Sequence, residues 1–199
     1  MRVFDFDNTI YDGESGIDFF FYYVKKFPMQ VAKYIPSFTE CVIKYKSGKL
    51  SIDEVLTDYS YIVKECCHKF DDPEKEIKRF WDTHQKKVKK WITDMFREDD
   101  VVLSASPEPL LFEICNRLGI KNVIGSGLDI NTGEISQLCF RDNKIKMFRD
   151  IYGDIVIDEF YTDSMNDKPF MDISKDVYYV TGDKIEKIKE NGTYLKQMK

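Results

Sequence analysis

The sequence predicts an α/β protein whose doubly wound parallel sheet carries an inserted helical bundle. Residues 1–12 and 97–199 alternate short, apolar, β-prone segments with amphipathic helical segments, which is typical of a parallel sheet covered by helices on both faces. Residues 13–96 instead show helical periodicity and dense aromatic side chains, which indicate a small bundle of about four helices. We therefore predict a discontinuous core, residues 1–12 and 97–199, and a helical cap domain, residues 13–96.

The predicted core strands are short and mostly apolar, as buried strands of an α/β sheet are. They comprise residues 2–6, 101–105, 122–124, 155–162 and 177–181. Residues 107–118 form a predicted helix, because leucines and an isoleucine recur at helical spacing and Gly119 follows as a stop signal. Residues 143–152 form a second predicted helix, and residues 128–135 form a predicted hairpin.

The predicted cap contains breaks at residues 27–28, 35–36, 47–48 and 71–73. Within it, residues 25–49 contain six lysines and one acid, interleaved with aromatic residues. One interpretation is a solvated amphipathic helix whose aromatic side chains lie in the core. The other is a surface that faces anionic lipid or a phosphorylated substrate.

Composition and charge exclude several classes of protein. The 199 residues are 43% apolar and 33% charged, with a formal net charge of −5. No apolar run is long enough for a membrane-spanning helix, and two early acids interrupt any signal-peptide core. Five cysteines without framework spacing predict free thiols in a reducing cytoplasm.

The charges are unevenly distributed along the chain. Residues 13–97 carry three more positive than negative charges, and the remainder carries eight more negative than positive charges. An acidic core argues against nucleic-acid binding, which needs a basic surface. It suits a part of the chain that holds a divalent cation.

Two carboxylates follow the first predicted strand. Asp5 and Asp7 are two residues apart, so the strand period places both on one side, at the strand end where α/β sheets bind ligands. Paired like charges need a cation between them or a proton on one of them. Both conditions suit phosphoryl transfer with one carboxylate as nucleophile and the other as proton shuttle. A turn with two capping acids is the simpler alternative.

Polar residues also follow three later predicted elements. Ser104 and Ser106 end the second strand before a helix, where hydroxyl and N–H groups bind phosphate or serve as helix caps. Lys144 could neutralise a transferring phosphoryl group, with Lys146 as a competitor. A final cluster, containing Asp163 and Asp167, offers oxygen ligands of the kind that Mg²⁺ prefers.

In order and spacing, these four clusters resemble the motifs of the haloacid dehalogenase superfamily: Asp-x-Asp-x-Thr, a strand ending in Ser, a Lys, and an acidic motif. The resemblance covers nearly the whole chain and implies a Rossmann-like core. The helical insert directly after the first motif is similar to the cap of the phosphoserine-phosphatase-like branch. Asp7 favours a phosphatase over a dehalogenase, because a leaving halide needs no proton.

The resemblance implies roles for the first motif. Asp5 would be the nucleophile that forms an aspartyl-phosphate, with its other oxygen on Mg²⁺. Asp7 would protonate the leaving alcohol and then activate water, and its backbone carbonyl would also bind the metal.

The same resemblance assigns the remaining positions. Ser104 and the backbone at Ala105 would bind phosphate oxygens, and Lys144 would balance the negative charge. Asp163 would be a further metal ligand, supported by Asp167. We prefer Lys144 to Lys146 because it begins the helix whose neighbouring apolar side chains face the core.

These inferences predict a cytoplasmic, Mg²⁺-dependent phosphomonoester hydrolase that acts through an aspartyl-phosphate on a small phosphorylated metabolite. The nearer alternative is a lipid phosphatase of the phosphatidylglycerophosphatase type, which would contact anionic membrane through residues 25–49. The more distant alternative is a non-enzymatic aspartyl-phosphate switch. Substrate identity and oligomeric state stay open at this point.

Overall fold

The computed structural model describes residues 1–69 and 71–195, except for the side chains of residues 52 and 53. The fold is built around one β-sheet. Its eight strands are β1 (Arg2–Phe4), β2 (Val101–Pro107), β3 (Asn122–Asp129), β4 (Glu134–Gln137), β5 (Ile157–Thr162), β6 (Ser174–Thr181), β7 (Lys184–Glu190) and β8 (Thr193–Tyr194). Their order across the sheet is β4-β3-β2-β1-β5-β6-β7-β8.

The centre of the sheet is parallel and its two edges are antiparallel. Parallel pairing joins β3, β2, β1, β5 and β6, which confirms the predicted α/β core with all five of its strands. The predicted hairpin is present as the antiparallel pair β3–β4. The antiparallel strands β7 and β8 were not predicted. The apolar residues of β7, Ile185 and Ile188, are three apart, so the sequence lacks the alternation typical of a strand. A register shift in the pairing with β6 accommodates this spacing.

Ten α-helices accompany the sheet in the described part of the chain: α1 (Ser15–Lys26), α2 (Pro28–Val31), α3 (Ile35–Lys46), α4 (Ile52–Asp58), α5 (Ser60–Cys67), α6 (Pro73–His84), α7 (Lys90–Thr93), α8 (Glu108–Leu118), α9 (Asp142–Tyr152) and α10 (Lys168–Ile173). Three of the four predicted breaks lie between helices of the insert, whereas residues 35–36 begin α3. An extra break at Tyr59 and the short helices α2 and α7 give seven α-helices among the described residues of the insert instead of about four.

Hydrophobic clusters cover both faces of the sheet. Phe4 belongs to one cluster together with Leu111 of α8. Val3, its neighbour on β1, belongs to the other cluster together with Phe148 of α9. Alternate residues of β1 therefore pack on opposite faces, as expected for a strand at the centre of a doubly wound sheet.

The insert contributes to two packing regions. Helices α1 and α5 contribute Phe20 and Ile62 to an aromatic cluster of their own, and Phe38 of α3 packs against that cluster. Helix α6 instead packs on the sheet cluster through Trp81, whose Nε1 donates to the carbonyl of Leu110 at 2.9 Å. The boundary at residues 13–96 stays a prediction.

The described residues bear on two further predictions, which concern membrane-spanning helices and cysteine pairing. Residues 1–69 and 71–195 contain no helix that is both long enough and apolar enough to cross a membrane. All five cysteines lie within this part of the chain and are free thiols.

Candidate active site

A polar cavity of about 220 Å³ lies at the carboxyl ends of β1, β2 and β5. Parallel strands converge there, and open α/β sheets bind their ligands at this edge. The structure brings all seven sequence-predicted site residues to its wall: Asp5, Asp7, Ser104, Ala105, Lys144, Asp163 and Asp167. The insert completes the wall with Glu14, Tyr45 and Lys46.

Hydrogen bonds hold both the backbone and the side chain of Asp5. It follows β1 directly, its backbone N–H donates to the carbonyl of Tyr161 on β5 at 2.9 Å, and the residue is only 7% exposed. The Lys144 ammonium donates to Asp5 Oδ1 at 2.9 Å. The side chain is therefore held in one orientation at the base of the polar cavity.

Lys144 joins two carboxylates in the protein interior. Its Nζ atom lies 2.7 Å from Asp167 Oδ1 as well as 2.9 Å from Asp5 Oδ1. Burial lowers the pKa of Lys144, but the charges of Asp167 and Asp5 outweigh burial and hold the pKa above its ordinary value. The competitor Lys146 is exposed and pairs with Asp150 at 2.8 Å. Of the two lysines, it is therefore Lys144, in the first turn of α9, that reaches the cavity.

Asp167 is positioned by the end of β5. The Thr162 hydroxyl donates to Asp167 Oδ2 at 2.8 Å and accepts the backbone N–H of Ser164 at 3.1 Å. The second Asp167 oxygen contacts Lys144. Asp167 thus orients the lysine that contacts Asp5.

Asp7 links the insert to β2. Its Oδ1 accepts the backbone N–H of Ser15, the first residue of α1, at 2.7 Å, which suits a carboxylate at a helix N-terminus. Its Oδ2 accepts the Ser106 hydroxyl at 2.5 Å, and the Ser106 and Ser15 hydroxyl oxygens are 2.8 Å apart. The orientation of Asp7 depends on both parts of the chain.

Neither serine of β2 caps α8. The residue at the N-cap is Pro107, which makes no side-chain cap bond. Ser104 Oγ instead accepts the backbone N–H of Ser106 at 3.1 Å. The hydroxyl contact between Ser106 and Asp7 was not predicted, although the strand period places Ser104 and Ser106 on one side of β2.

Negative charge exceeds positive charge around the cavity. Burial raises the pKa of Asp5 well above its ordinary value, although the Lys144 ammonium opposes this rise. Burial also raises the pKa of Asp7, while hydrogen bonds from Ser106 and Ser15 lower it. Burial, together with the charges of Glu14 and Asp167, raises the pKa of Asp163 to about 6.

The donor set suits Mg²⁺ bound by few protein ligands. Within residues 1–69 and 71–195, no group of three or more His, Cys, Asp or Glu side chains could hold a metal alone. Mg²⁺ commonly uses one or two carboxylates together with water and phosphate oxygens. Asp5 and Asp163 supply two carboxylates on one cavity. Burial is the main cause of their raised pKa values, and neighbouring acids add to it, so a bound cation would favour the ionised form of both.

The insert places polar groups over the strand ends. Lys46 at the end of α3 forms an ion pair with Glu14, which also accepts a hydrogen bond from Asn8 at 2.9 Å. The Tyr45 ring packs on Phe140 with the ring centroids 4.4 Å apart. The Tyr45 hydroxyl is buried and has no hydrogen-bond partner in the described part of the chain. Residue type alone did not separate Tyr45 and Lys46 from the other tyrosines and lysines of the insert.

A buried lysine stabilises the turn after Asp7. Lys89 Nζ donates to the carbonyl of Asn8 and, at 2.7 Å, to that of Gly182. Asn8 adopts a positive φ of 56°, a conformation that Asn tolerates better than most residues. Lys89 therefore holds the turn that joins Asp7 to α1.

Comparison with known proteins identifies the family. The chain is similar in structure to a Bordetella pertussis Tohama I protein of unknown function, with a TM-score of 0.69, 16% identity, and coverage of 86% of this chain and 85% of that one. It is also similar to a phosphoserine phosphohydrolase-like protein from Francisella tularensis subsp. tularensis SCHU S4, with a TM-score of 0.61, 14% identity, and coverage of 89% and 86%.

A third similar structure is a phospho-aspartyl intermediate analogue of phosphoserine phosphatase, with a TM-score of 0.55, 17% identity, and coverage of 88% and 83%. These likenesses confirm the fold shared with the phosphoserine-phosphatase-like branch. No sequence among the curated proteins matches the chain. The family model for haloacid dehalogenase-like hydrolases matches residues 3–172. This chain therefore belongs to the haloacid dehalogenase-like hydrolase family.

Proposed function

We propose that this protein is a Mg²⁺-dependent phosphomonoester hydrolase that acts through an aspartyl-phosphate on Asp5. The observation that carries the proposal is the buried contact of Lys144 with Asp5 and Asp167 at the wall of the polar cavity. Membership of a hydrolase family and the fold shared with a structure described as a phosphoserine phosphatase support it. The substrate would be a small phosphorylated molecule, because the polar cavity is about 220 Å³ and the insert forms part of its wall.

In the first half of the reaction, an Asp5 carboxylate oxygen attacks phosphorus and the ester P–O bond breaks. The leaving alcohol oxygen takes a proton from Asp7. This step needs an ionised Asp5, which the Lys144 ammonium favours against the effect of burial, and a protonated Asp7, which burial favours. The proton donor is held by Ser15 and Ser106 at 2.7 and 2.5 Å, so its orientation is set before substrate binds.

In the second half, water attacks the phosphorus of the aspartyl-phosphate and gives its proton to the Asp7 carboxylate. The P–O bond to Asp5 breaks, which releases inorganic phosphate and restores the starting carboxylate. The Lys144 ammonium lies 2.9 Å from the unmodified Asp5 carboxylate. Its fixed positive charge stabilises negative charge that develops on the phosphoryl oxygens.

The remaining residues would hold the phosphate and the metal. Ser104 and the backbone at Ala105 line the cavity beside Lys144 and supply donors for phosphate oxygens. Mg²⁺ would be held by Asp5, Asp163 and the Asp7 carbonyl, and when bound it supplies positive charge that stabilises the phosphoryl group. Asp167 would support the site through Lys144.

Release of phosphate from a panel of phosphorylated metabolites, with Mg²⁺, tests this function. We expect turnover by wild type, none by Asp5→Asn, and normal turnover by Asp150→Asn, which changes an exposed aspartate outside the cavity. An Asp5 phosphoryl group that forms but never turns over would identify an aspartyl-phosphate switch. Equal turnover by wild type and Asp5→Asn would overturn the mechanism.

A lipid substrate at an anionic membrane surface is a second candidate. Met29 is 90% exposed and lies between the exposed residues Lys25 and Lys33. Against this, three of the six lysines in residues 25–49 form ion pairs with acids of the protein, namely Lys26, Lys44 and Lys46.

Sedimentation with anionic vesicles at low and high salt tests the membrane candidate. We expect binding that weakens with salt and that Met29→Asp reduces. The control Ile151→Asp changes an apolar side chain that is 62% exposed on α9 and should bind like wild type. Absence of binding at low salt would reject the candidate.

The free thiols favour a reducing compartment. Cys66 and Cys67 are adjacent, yet they and the other three cysteines are unbridged. Burial raises the pKa of the Cys66 thiol to about 11 and that of Cys67 to about 12, so both are protonated at neutral pH. These observations support our proposal of a cytoplasmic location.

A further inference from the structure

A second cavity, of about 280 Å³, adjoins the polar cavity and extends into the insert. We call it the apolar cavity; among its lining residues are Ile17, Phe20, Phe38, Val42, Ile62 and Leu128. Five residues line both cavities: Asp7, Glu14, Tyr45, Lys46 and Ala105. The two spaces therefore meet along one wall, which contains the proposed acid Asp7.

The apolar cavity is built by regular helix faces. Phe38, Val42 and Tyr45 recur at a spacing of three and four residues along α3, which places them on one face. Phe20 of α1 stacks on Phe38 with ring centroids 3.8 Å apart. Two of the aromatic residues of the lysine-rich segment, Phe38 and Tyr45, thus form part of a cavity wall inside the insert.

Charge is confined to the end that the two cavities share. Among the described residues that line the apolar cavity, the charged side chains are Asp7, Glu14 and Lys46. Glu14 pairs with Lys46, and Asp7 accepts hydrogen bonds from Ser15 and Ser106. Beyond this end, a charged substituent of a ligand would lose its hydration and find no partner charge, which is costly.

We propose that the polar cavity takes the phosphate and the apolar cavity takes the alcohol part of the substrate. The substrate is then a phosphate monoester with a hydrocarbon or aromatic group close to the ester oxygen, and not an amino-acid or sugar phosphate. The inference rests on the proposed function. The inference depends mainly on the position of Asp7, which lines both cavities. The proposed acid for the ester oxygen therefore lies where the two parts of the substrate would meet.

Binding of n-alkyl phosphates to Asp7→Asn with Mg²⁺, measured by calorimetry, tests this inference without turnover, because this variant lacks the proton donor but keeps the backbone carbonyl proposed as a metal ligand. We expect the affinity to rise roughly threefold per methylene from ethyl to butyl to hexyl phosphate. Phosphoserine and glycerol 3-phosphate should bind more weakly than butyl phosphate. Equal affinity along the alkyl series, or a preference for phosphoserine, would overturn the inference.

A matched pair of variants places the effect in the apolar cavity. Val42→Asp puts a carboxylate into that cavity and should remove the dependence on chain length. Ile43→Asp makes the same change one residue along α3, at a side chain that is 63% exposed, and should keep the dependence. If Val42→Asp fails to fold, the wild-type series of kcat/KM values against chain length still decides the question.

Failure of the inference and failure of the proposed function give different results. Phosphate release from all esters without chain-length preference would overturn the inference and leave the hydrolase standing. Chain-dependent binding without any phosphate release would support the inference and overturn the hydrolase. Two lipid phosphates then distinguish a dispersed substrate from a membrane lipid. Hydrolysis of monomeric dihexanoyl phosphatidic acid indicates a dispersed substrate, and hydrolysis of dioleoyl phosphatidic acid in phosphatidylcholine vesicles indicates a membrane lipid. Hydrolysis of neither would count against a lipid-like alcohol.

Discussion

Ser106 and Asp7 are 99 residues apart in the chain, and the Ser106 hydroxyl donates to Asp7 Oδ2 at 2.5 Å. The other Asp7 oxygen accepts the first backbone N–H of α1. One carboxylate thus joins the end of β2 to the beginning of the insert. Any movement of the insert relative to the sheet would change how this proposed acid is held.

Replacement of Ser106 by alanine should therefore weaken catalysis through Asp7. Loss of one hydrogen bond to a charged group predicts a decrease in kcat of roughly tenfold to a hundredfold. Because that hydrogen bond lowers the pKa of Asp7, its loss should move the alkaline limb of the pH–rate profile to higher pH. The pH profiles of kcat and of kcat/KM between pH 5 and 9 measure the two effects.

The control for Ser106→Ala is Ser174→Ala. Ser174 is also buried, and its hydroxyl also makes one hydrogen bond, to the carbonyl of Phe170 at 2.9 Å, but it lies at the beginning of β6. We expect its pH profile to match that of wild type. An unchanged alkaline limb in Ser106→Ala would show that Ser106 does not tune Asp7.

The sequence was sufficient to predict which strand ends form the site. Asp5, Ser104 and Asp163 stand at or directly after predicted strands, and parallel strands bring their carboxyl ends to one edge. The contacts of Ser106 and Tyr45 depend on tertiary packing between distant segments. A serine near a helix start is commonly a cap, and a tyrosine in an aromatic-rich segment is commonly a packing residue, so no local pattern marks these two.

Lys144 should be required for both activity and stability. Lys144→Met leaves Asp5 and Asp167 buried without their shared cation, which predicts a loss of about 3–5 kcal/mol in the free energy of unfolding at neutral pH. Loss of the fixed charge beside the phosphoryl group predicts a decrease in kcat of at least about a hundredfold. Urea denaturation and phosphate release measure the two effects separately.

The pH dependence of that variant has a definite sign. The Lys144 ammonium lowers the pKa of Asp5, so its removal raises this pKa further and the carboxyl becomes protonated more easily. The destabilisation of Lys144→Met should therefore shrink as the pH falls from 7 to 5. Lys146→Met is the control, because Lys146 forms an exposed pair, and its effect should stay below about 1 kcal/mol.

The edges of the fold were harder to predict than its centre. β1 is buried on both faces, so its apolar run identifies it directly. β7 reads Lys-Ile-Glu-Lys-Ile-Lys-Glu, and a bulge opposite Val177 and Tyr178 breaks the alternation that would reveal a strand. Its pairing with β6 supplies the information that the local sequence lacks.

Mg²⁺ should stabilise the protein more at pH 8 than at pH 5. The pKa of Asp163 is raised to about 6 without metal, so protons compete with Mg²⁺ for this carboxylate below that pH. A raised carboxyl pKa in the folded state also means that metal-free stability falls as the pH rises through about 6. The increase in Tm caused by Mg²⁺, measured at both pH values, tests this prediction.

Two aspartate variants test whether Asp163 is responsible for the increase in Tm caused by Mg²⁺. Asp163→Asn should lose most of the Mg²⁺-induced increase in Tm at pH 8, because a neutral amide is a weaker ligand for a hard cation. Asp150→Asn, which changes an exposed aspartate, should keep it. A full increase in Asp163→Asn would remove Asp163 from the proposed ligand set.

The ion pair of Arg2 and Asp100 should stabilise the fold without affecting catalysis. Arg2 contacts both Asp100 oxygens, at 2.8 and 2.5 Å, at the ends of β1 and β2 opposite the polar cavity. Asp100→Asn leaves the guanidinium buried beside a neutral side chain, so we expect a loss of about 3–5 kcal/mol in urea denaturation with unchanged kcat. Glu98→Gln breaks an exposed pair with Lys121 and should leave the urea midpoint unchanged; equal losses would contradict the prediction.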